Sequence, residues 1–362
     1  MKKDGIHDTG TTVESCETQM VSEQYAFDWD DVDGTDLRVA DDCNDVAGTE
    51  LRTADDLMIK EIREKLHGAV SKNTERAYLS DFRQFCHWCR EQGHTPVPAE
   101  VAILVAYIEW MTKFYKSDTI RRRIDSLGSI FFYLKQPNAT KDSEVNLAFK
   151  RMYRKLGRHQ QQASPLTRPM LNRMLKVCGS STGGLRNQVL LRLGYESLRR
   201  RSELCSFRFE DIHHYPNGAA YILLRFSKTD QLGNGRPVPI SPELQALIER
   251  WRRKIRAVDG EILRSVARNG RVGTSLHPSS INRILKDVQQ EAFGCRCKES
   301  LSGHSFRVGA SIDLLEQGES LSMIMIRAGW RSESTAVRYL RNYAAQMGNA
   351  PLESSGSTKT RH

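Results

Sequence analysis

The sequence predicts a mainly α-helical protein of two domains, the second carrying a small antiparallel sheet, and three observations lead there. Apolar residues recur at helical spacing from about Asp56 to Leu156. That periodicity lapses over residues 157–165, then resumes as helices interrupted by two short strand-like runs. A length of 362 residues also exceeds what one ordinary core needs, so two domains with peripheral segments are the natural division.

Residues 1–57 stand apart from this pattern. They hold 16 Asp or Glu against 4 Lys or Arg, a net charge of −12. They also repeat themselves, DGTDLRVADD from Asp33 returning as AGTELRTADD from Ala47. Such a segment buries little apolar surface and is expected to be an acidic, disordered tail, with short helices possible. Its charge, opposite to that of the body, raises a sharper alternative: an intramolecular DNA mimic or a partner-docking arm.

The helical region 58–156 opens near Asp55-Asp56 and runs through Ile59, Ile62 and Leu66. Ser71-Lys72-Asn73-Thr74, followed by Tyr78, Phe82 and Phe85, reads as a capped amphipathic helix. Pro98-Ala99-Glu100 opens another, with Val101, Leu104, Val105 and Ile108 on its apolar side. A third spans roughly Ser117 to Leu134, burying Ile120, Ile124, Leu127 and Ile130 and leaving Arg121, Arg122 and Arg123 toward an exposed side.

After the linker at 157–165, helices are expected over Pro169–Val177 and Gly184–Tyr195. Strands follow over Ala219–Phe226 and Gly235–Ile240, joined across Gly233-Asn234-Gly235, before helices resume at Pro242. This second domain is expected to occupy 166–352, with a polar tail over 353–362.

Composition narrows the function. The longest apolar run, Val101 to Ile108, is far shorter than the roughly 20 residues that cross a bilayer, so no membrane span is expected. The opening MKKDGIHDTG has no apolar core for secretion, which points to the cytosol. The formal charge of +10 hides an asymmetry, because beyond residue 57 there are 50 basic and 28 acidic residues, a net of +22. A body this basic points to a polyanionic partner, since Lys and Arg release counterions from phosphates, although a solvated basic surface is the plainer reading.

The eight cysteines form no disulfide framework. Cys86-His87-Trp88-Cys89 and Cys295-Arg296-Cys297 invite a metal reading, but Tyr78, Phe82, Phe85 and Cys89 share helical spacing and no second pair completes a four-ligand set. Those cysteines read as packing or surface residues, and no metal or cofactor is expected.

Four scattered features of the second domain matter by their order: Arg200 within Leu198–Leu204, Lys228 after a strand, His304-Ser305-Phe306-Arg307, and Tyr339. Taken singly, an arginine triplet is usually a solvated helix face, a lysine beside a hairpin a surface group, and a late tyrosine a core or rim residue. Together they resemble the tyrosine recombinase (phage integrase) family, and within it the Cre-type recombinases.

The resemblance runs from about Ser71 to Leu352. SKNTERAYLSDFRQFCHWC is similar to the start of the family's helical, SAM-like core-binding domain, and Ala163 onward to its catalytic domain. Arg200-Arg201-Ser202-Glu203-Leu204 satisfies the arginine-to-glutamate spacing of the family's first box, though Leu198-Arg199 stands where that pattern has Gly-Leu. Ser302-Gly303-His304-Ser305-Phe306-Arg307 is similar to the second box, and Phe226-Ser227-Lys228-Thr229 matches the placement of the family's lysine. Ala328-Gly329-Trp330, with Tyr339 nine residues on, is similar to the closing segment; Tyr343 is a rival nucleophile whose spacing fits worse.

The resemblance implies that Tyr339 is the nucleophile, with Arg200, Lys228, His304, Arg307 and Trp330 as its catalytic partners and Glu203 in support. It also implies double-stranded DNA bearing an inverted-repeat site as the partner, and a homotetramer joining two sites through a Holliday junction. Association with the nucleoid of a prokaryote is expected only from this resemblance. The segment Asn342–Leu352 is then expected to dock on a neighbouring protomer. Thr74, Arg76 and Arg121 to Arg123 are candidates for groove or phosphate contacts, which mostly position rather than specify. Asn282 and Arg283, on a helix starting near Ser279, are candidates for base edges, with a plain surface helix the equal alternative. Type IB topoisomerases and hairpin telomere resolvases use similar residues, but the Cre-like spacing favours recombination. A DNA-binding protein that keeps this fold without catalysis is the rival from another class.

Overall fold

A computed structural model describes residues 54–158, 162–227, 233–294, 300–337 and 339–340. The acidic tail before Ala54, Lys228, the cysteines at 295 and 297, Tyr343 and the proposed docking segment 342–352 lie outside the described residues. The chain divides into two compact units, residues 1–161 and 162–362. Among the described residues no helix is long and apolar enough to cross a membrane.

The first unit is helical: α1 Ala54–Leu66, α2 Lys72–Glu91, α3 Val101–Met111, α4 Ser117–Tyr133 and α5 Ser143–Leu156. Ser71 caps α2 by accepting from the Thr74 amide, and Asp142 caps α5 by accepting from the Glu144 amide, so each helix begins where a side-chain oxygen satisfies an orphan N–H. Phe82, Phe85, Tyr107 and Phe131 meet in its core, with Ile120, Ile124, Leu127 and Ile130 of α4 buried as their spacing required. Cys86 and Cys89 belong to the same core, where burial pushes the Cys89 thiol up to about 12.

One expectation fails here. Arg121 to Arg123 do not form an exposed basic strip. Arg123 is buried, Arg122 and Arg121 are half-buried, and all three are engaged. Arg122 grips Asp81 of α2 through both terminal nitrogens, Ser126 donates to the same carboxylate at 2.7 Å, and Arg123 Nε lies 3.7 Å from it. Arg123 also sits 3.8 Å over the Tyr115 ring, while Arg121 pairs with Asp125 at 3.0 Å. Asp81 is 3% exposed and an isolated buried carboxylate is costly, so the fold draws the arginines inward to neutralise it.

The second unit runs α6 Arg168–Val177, α7 Thr182–Ser197 and α8 Arg201–Ser206. It continues through β1 Ile212–His214, β2 Ala220–Leu224 and β3 Arg236–Ile240, then α9 Pro242–Ile255, α10 Ser279–Phe293, α11 Gly303–Glu316 and α12 Leu321–Ala328. The three strands form an antiparallel sheet in the order β1-β2-β3. Ala220, Ile222 and Leu224 alternate inward along β2, the period-2 signal the sequence carried. Strand β1 is three residues long, too short for such a signal.

Helix α11 is the unit's central post, with 11 of its 14 residues buried and therefore no polar face. Its glycine lets neighbours approach: a Cβ on Gly309 would stand 2.0 Å from the Leu166 carbonyl oxygen. Near its end Asp313 accepts from the Arg168 amide at 2.7 Å and from the Tyr195 hydroxyl, which ties α11 to the start of α6 and to α7.

Candidate active site

Helix α7 stops at Leu198, whose φ of 52° places a branched residue in left-handed backbone. This conformation is uncommon outside Gly and needs a surrounding structure that fixes it. Arg307 of α11 supplies a clamp. It is 1% exposed, with one guanidinium nitrogen donating to the Leu198 carbonyl at 2.8 Å and another to the Ala328 carbonyl at 3.2 Å. Both acceptors lie at helix C-termini, where unsatisfied carbonyls favour a cation. The third nitrogen of that guanidinium, Nε, is buried without a hydrogen-bond partner among the described residues.

Beyond Leu198 the chain turns through Arg199 and Arg200 before α8 begins at Arg201. The arginine triplet is therefore not a solvated helix face: Arg199 and Arg200 are 4% and 9% exposed and lie in the bend, with only Arg201 on the helix. Glu203 holds this bend closed. Its carboxylate accepts from the Arg200 amide at 3.1 Å and from the Arg200 guanidinium at 3.1 Å, the spacing of three that the sequence shows.

Tyr339 stacks on Trp330 with ring centroids 4.7 Å apart and planes 20° from parallel. The Arg307 guanidinium carbon lies 5.6 Å from the Trp330 ring centre and 5.7 Å from that of Tyr339. Gln162, from the segment read as linker, donates to the Tyr339 carbonyl at 2.6 Å. His304 stands three residues before Arg307 in the first turn of α11, half-buried. That turn is fixed by side chains: Asn282 accepts from the Gly303 amide at 2.9 Å, and Ser305 accepts from the Ser302 amide at 2.9 Å.

The structure thus brings Arg307, Trp330 and Tyr339 into contact and places Arg200, Glu203 and His304 on the segments adjoining them. Lys228 lies outside the described residues; the strands on either side pair Leu224 with Arg236. Of the DNA-contact candidates, Asn282 uses its oxygen to brace the His304 turn, and Arg283 beside it is exposed. Thr74 is engaged with the Ser71 cap and Arg76 is exposed.

The structure adds two arginines to which the sequence reading assigned no role, Arg199 and Arg236. Arg199 donates to the Arg327 carbonyl. Burial lowers its guanidinium to about 10, with Glu203 opposing the shift and Arg307, Arg236 and Arg200 adding to it. Gly329, at φ 69°, marks where this group meets Arg236: a Cβ there would lie 2.7 Å from an Arg199 nitrogen and 3.0 Å from one of Arg236. A glycine beside a catalytic-box tryptophan was the available signal, since only Gly suits that backbone and that approach.

The second unit is thus helical with a three-stranded sheet, and its arginines converge on a stacked Trp–Tyr pair. Residues 164–346, half of the chain, match the phage integrase family. The chain belongs to that family, the tyrosine recombinases.

It is 27% identical over 289 residues to the integrase/recombinase xerD homolog of Selenomonas ruminantium, spanning 77% of this chain and 84% of that one. It is 24% identical over 298 residues to recombinase cre of Escherichia phage P1, spanning 77% and 87%. Among solved structures it shares the fold of the XerH site-specific recombinase bound to palindromic difH substrate, with a TM-score of 0.56 and 16% identity over 81% of this chain and 93% of that one. A lambda integrase dimer bound to a COC' core site gives 0.55 and 14% over 78% and 76%.

Proposed function

We propose that this chain is a site-specific DNA recombinase that cleaves and rejoins strands through Tyr339. The observation that carries the reading is the buried Arg307 guanidinium held over the Trp330–Tyr339 stack, with one donor nitrogen left without a partner among the described residues. A guanidinium fixed in advance at an attacking phenol is what a phosphodiester transition state requires, because negative charge grows on the nonbridging oxygens as the bond forms.

In this reading the Tyr339 hydroxyl attacks the scissile phosphorus. A new bond from tyrosine oxygen to phosphorus forms, the bond to the 5′ oxygen breaks, and a 3′-phosphotyrosyl link remains. An ordinary phenol has a pKa near 10, so its proton must leave during attack, and His304 accepts it. Lys228 protonates the departing 5′ oxygen. Arg200 and Arg307 clamp the nonbridging oxygens, Trp330 contacts the phosphate, and Glu203 keeps Arg200 in place. A 5′ hydroxyl from another strand then reverses the steps. Bonds broken and made are equivalent, so no nucleotide cofactor is needed, and the arginines carry the charge a metal would otherwise carry.

Two protomers bind the inverted arms of one site, and four join two sites through a Holliday junction. A lambda integrase, whose fold this chain shares, has been captured as a tetramer bound to a Holliday junction, which supports the arrangement.

The test is a suicide-substrate assay in EDTA with nicked candidate-site DNA, comparing wild type with Tyr339→Phe. A covalent adduct that depends on Tyr339 is the expected result. No adduct on DNA that the protein binds would leave the noncatalytic DNA-binding reading. An adduct formed equally by Tyr339→Phe would move the nucleophile to Tyr343.

A further inference from the structure

Arginine charge around this site exceeds what the proposed chemistry uses. The charges acting on Arg199 are Glu203 on one side and Arg307, Arg236 and Arg200 on the other. Arg199 and Arg236 converge on one point over Gly329, next to Trp330. Arg199 is buried with its Nε unpartnered among the described residues, and its Nη2 is pinned to the Arg327 carbonyl. It cannot turn away to relieve the repulsion. Arg236, the first residue of β3, is half-buried and makes no ion pair among the described residues. Four guanidinium groups here share one carboxylate, Glu203, and a bound anion would offset the excess positive charge.

The Arg200–Arg307 pair already accounts for one phosphate in the reading above. We propose that Arg236 is a DNA-contact residue that grips a second backbone phosphate, next to the cleaved one, with buried Arg199 as the fixed charge beside it. Arg236 is suited to this on three grounds. It is accessible where Arg199 is not. It sits on a strand, so its backbone is held by the Leu224 pairing rather than by a loop. The glycine at 329 leaves room for its guanidinium beside the Trp330 segment. Gripping the neighbouring phosphate fixes the strand's register, so the scissile phosphorus arrives in line with Tyr339.

This deepens the recombinase reading and rests on it for the identity of the cleaved phosphate, but the contact itself is tested by binding alone. The probe is the duplex recovered by binding selection from a random-sequence pool, titrated with wild type, Arg236→Ala and Arg236→Lys across a range of KCl. Each phosphate neutralised on duplex DNA contributes about 0.9 to the slope of log affinity against log salt. Arg236→Ala is expected to lose about that amount and Arg236→Lys to keep it, with thermal unfolding of all three coinciding.

The second arm uses nicked suicide duplexes carrying one neutral methylphosphonate. Arg236→Ala is expected to form adduct about tenfold more slowly on all-phosphate DNA, the size of one lost charge-assisted contact. That defect should vanish when the neighbouring phosphate is neutral, while the defect of Arg200→Ala persists. An unchanged salt slope overturns the proposal, as does a defect that vanishes only when the scissile phosphate is the neutral one. If wild type forms no adduct while the slope still falls in Arg236→Ala, the recombinase reading fails and the phosphate contact stands.

Discussion

Two groups of arginines, one in each unit, contrast a structural cluster with the one proposed to be reactive. In the first unit Arg122 and Arg123 surround Asp81, which Ser126 also serves, and Tyr115 covers the face of Arg123. The carboxylate sits at the centre and the cations are drawn to it. In the second unit Arg199, Arg200, Arg236 and Arg307 act on one another across a site whose carboxylate, Glu203, is bonded to Arg200 at its edge. Here the cations are tied down by backbone carbonyls, at Leu198, Ala328 and Arg327, which fix position without cancelling charge. The first arrangement shares one central carboxylate between two cations. The second gathers four guanidinium groups around one carboxylate, a larger excess of positive charge, which the proposed chemistry would use.

The sharpest way to break this contrast is Arg307→Ala. Removing one preorganised donor at a developing oxyanion costs about 10²–10³-fold in rate, so adduct formation should fall at least that far. Arg307→Lys should fail nearly as badly, because an ammonium cannot span the Leu198 and Ala328 carbonyls while facing the Trp330–Tyr339 pair. Cleavage by either variant close to the wild-type rate would remove Arg307 from the chemistry.

In the first unit the equivalent break is Asp81→Ala. It strands the buried Arg123 and half-buried Arg122 guanidinium groups, and urea unfolding should show a loss of about 3–5 kcal/mol. Asp81→Leu combined with Arg122→Met and Arg123→Met should recover much of it, since a structural ion cluster can be replaced by packing. A loss below about 1 kcal/mol, the level of an exposed pair, would mean that water screens the cluster.

Gly329→Ala joins both effects. A Cβ at φ 69° costs about 1–3 kcal/mol in strain, and it also presses on Arg199 and Arg236. Its adduct formation should therefore drop by more than its stability loss accounts for, compared at a temperature where the variant stays folded. The smallest effect expected is Ser71→Ala, at about 1 kcal/mol by loss of the α2 cap, with no change in cleavage per folded molecule.

The helices were legible because their signals are local. The Ser71 cap, the α4 stripe of Ile120, Ile124, Leu127 and Ile130, and the alternation along β2 each sit within one element and need no knowledge of its neighbours. Part of the candidate site was legible for a related reason. Arg200 and Glu203 are three residues apart, as are His304 and Arg307, so short motifs in the right order were enough to single them out. What failed was the direction of arginine side chains. Arg122 and Arg123 read as an exposed strip because helical spacing reports an apolar stripe and is silent about a buried carboxylate arriving from another helix. The bend that buries Arg199 and Arg200 was not legible, because a left-handed leucine that ends a helix has no sequence mark comparable to glycine.

By itself, then, the sequence determined the two-domain, mainly helical plan, the basic body with its acidic leader, and the resemblance that orders Arg200, His304, Arg307 and Tyr339 along the chain. The tertiary structure alone decided which cations gather on a carboxylate and which are held by backbone carbonyls. That distinction depends on groups distant in sequence: Asp81 meeting α4, the carbonyls of Leu198 and Ala328 meeting Arg307, and Gly329 leaving space where Arg199 and Arg236 converge. Coulomb energy in a low-dielectric interior depends on separations of a few ångströms, which the fold sets and the order of residues does not.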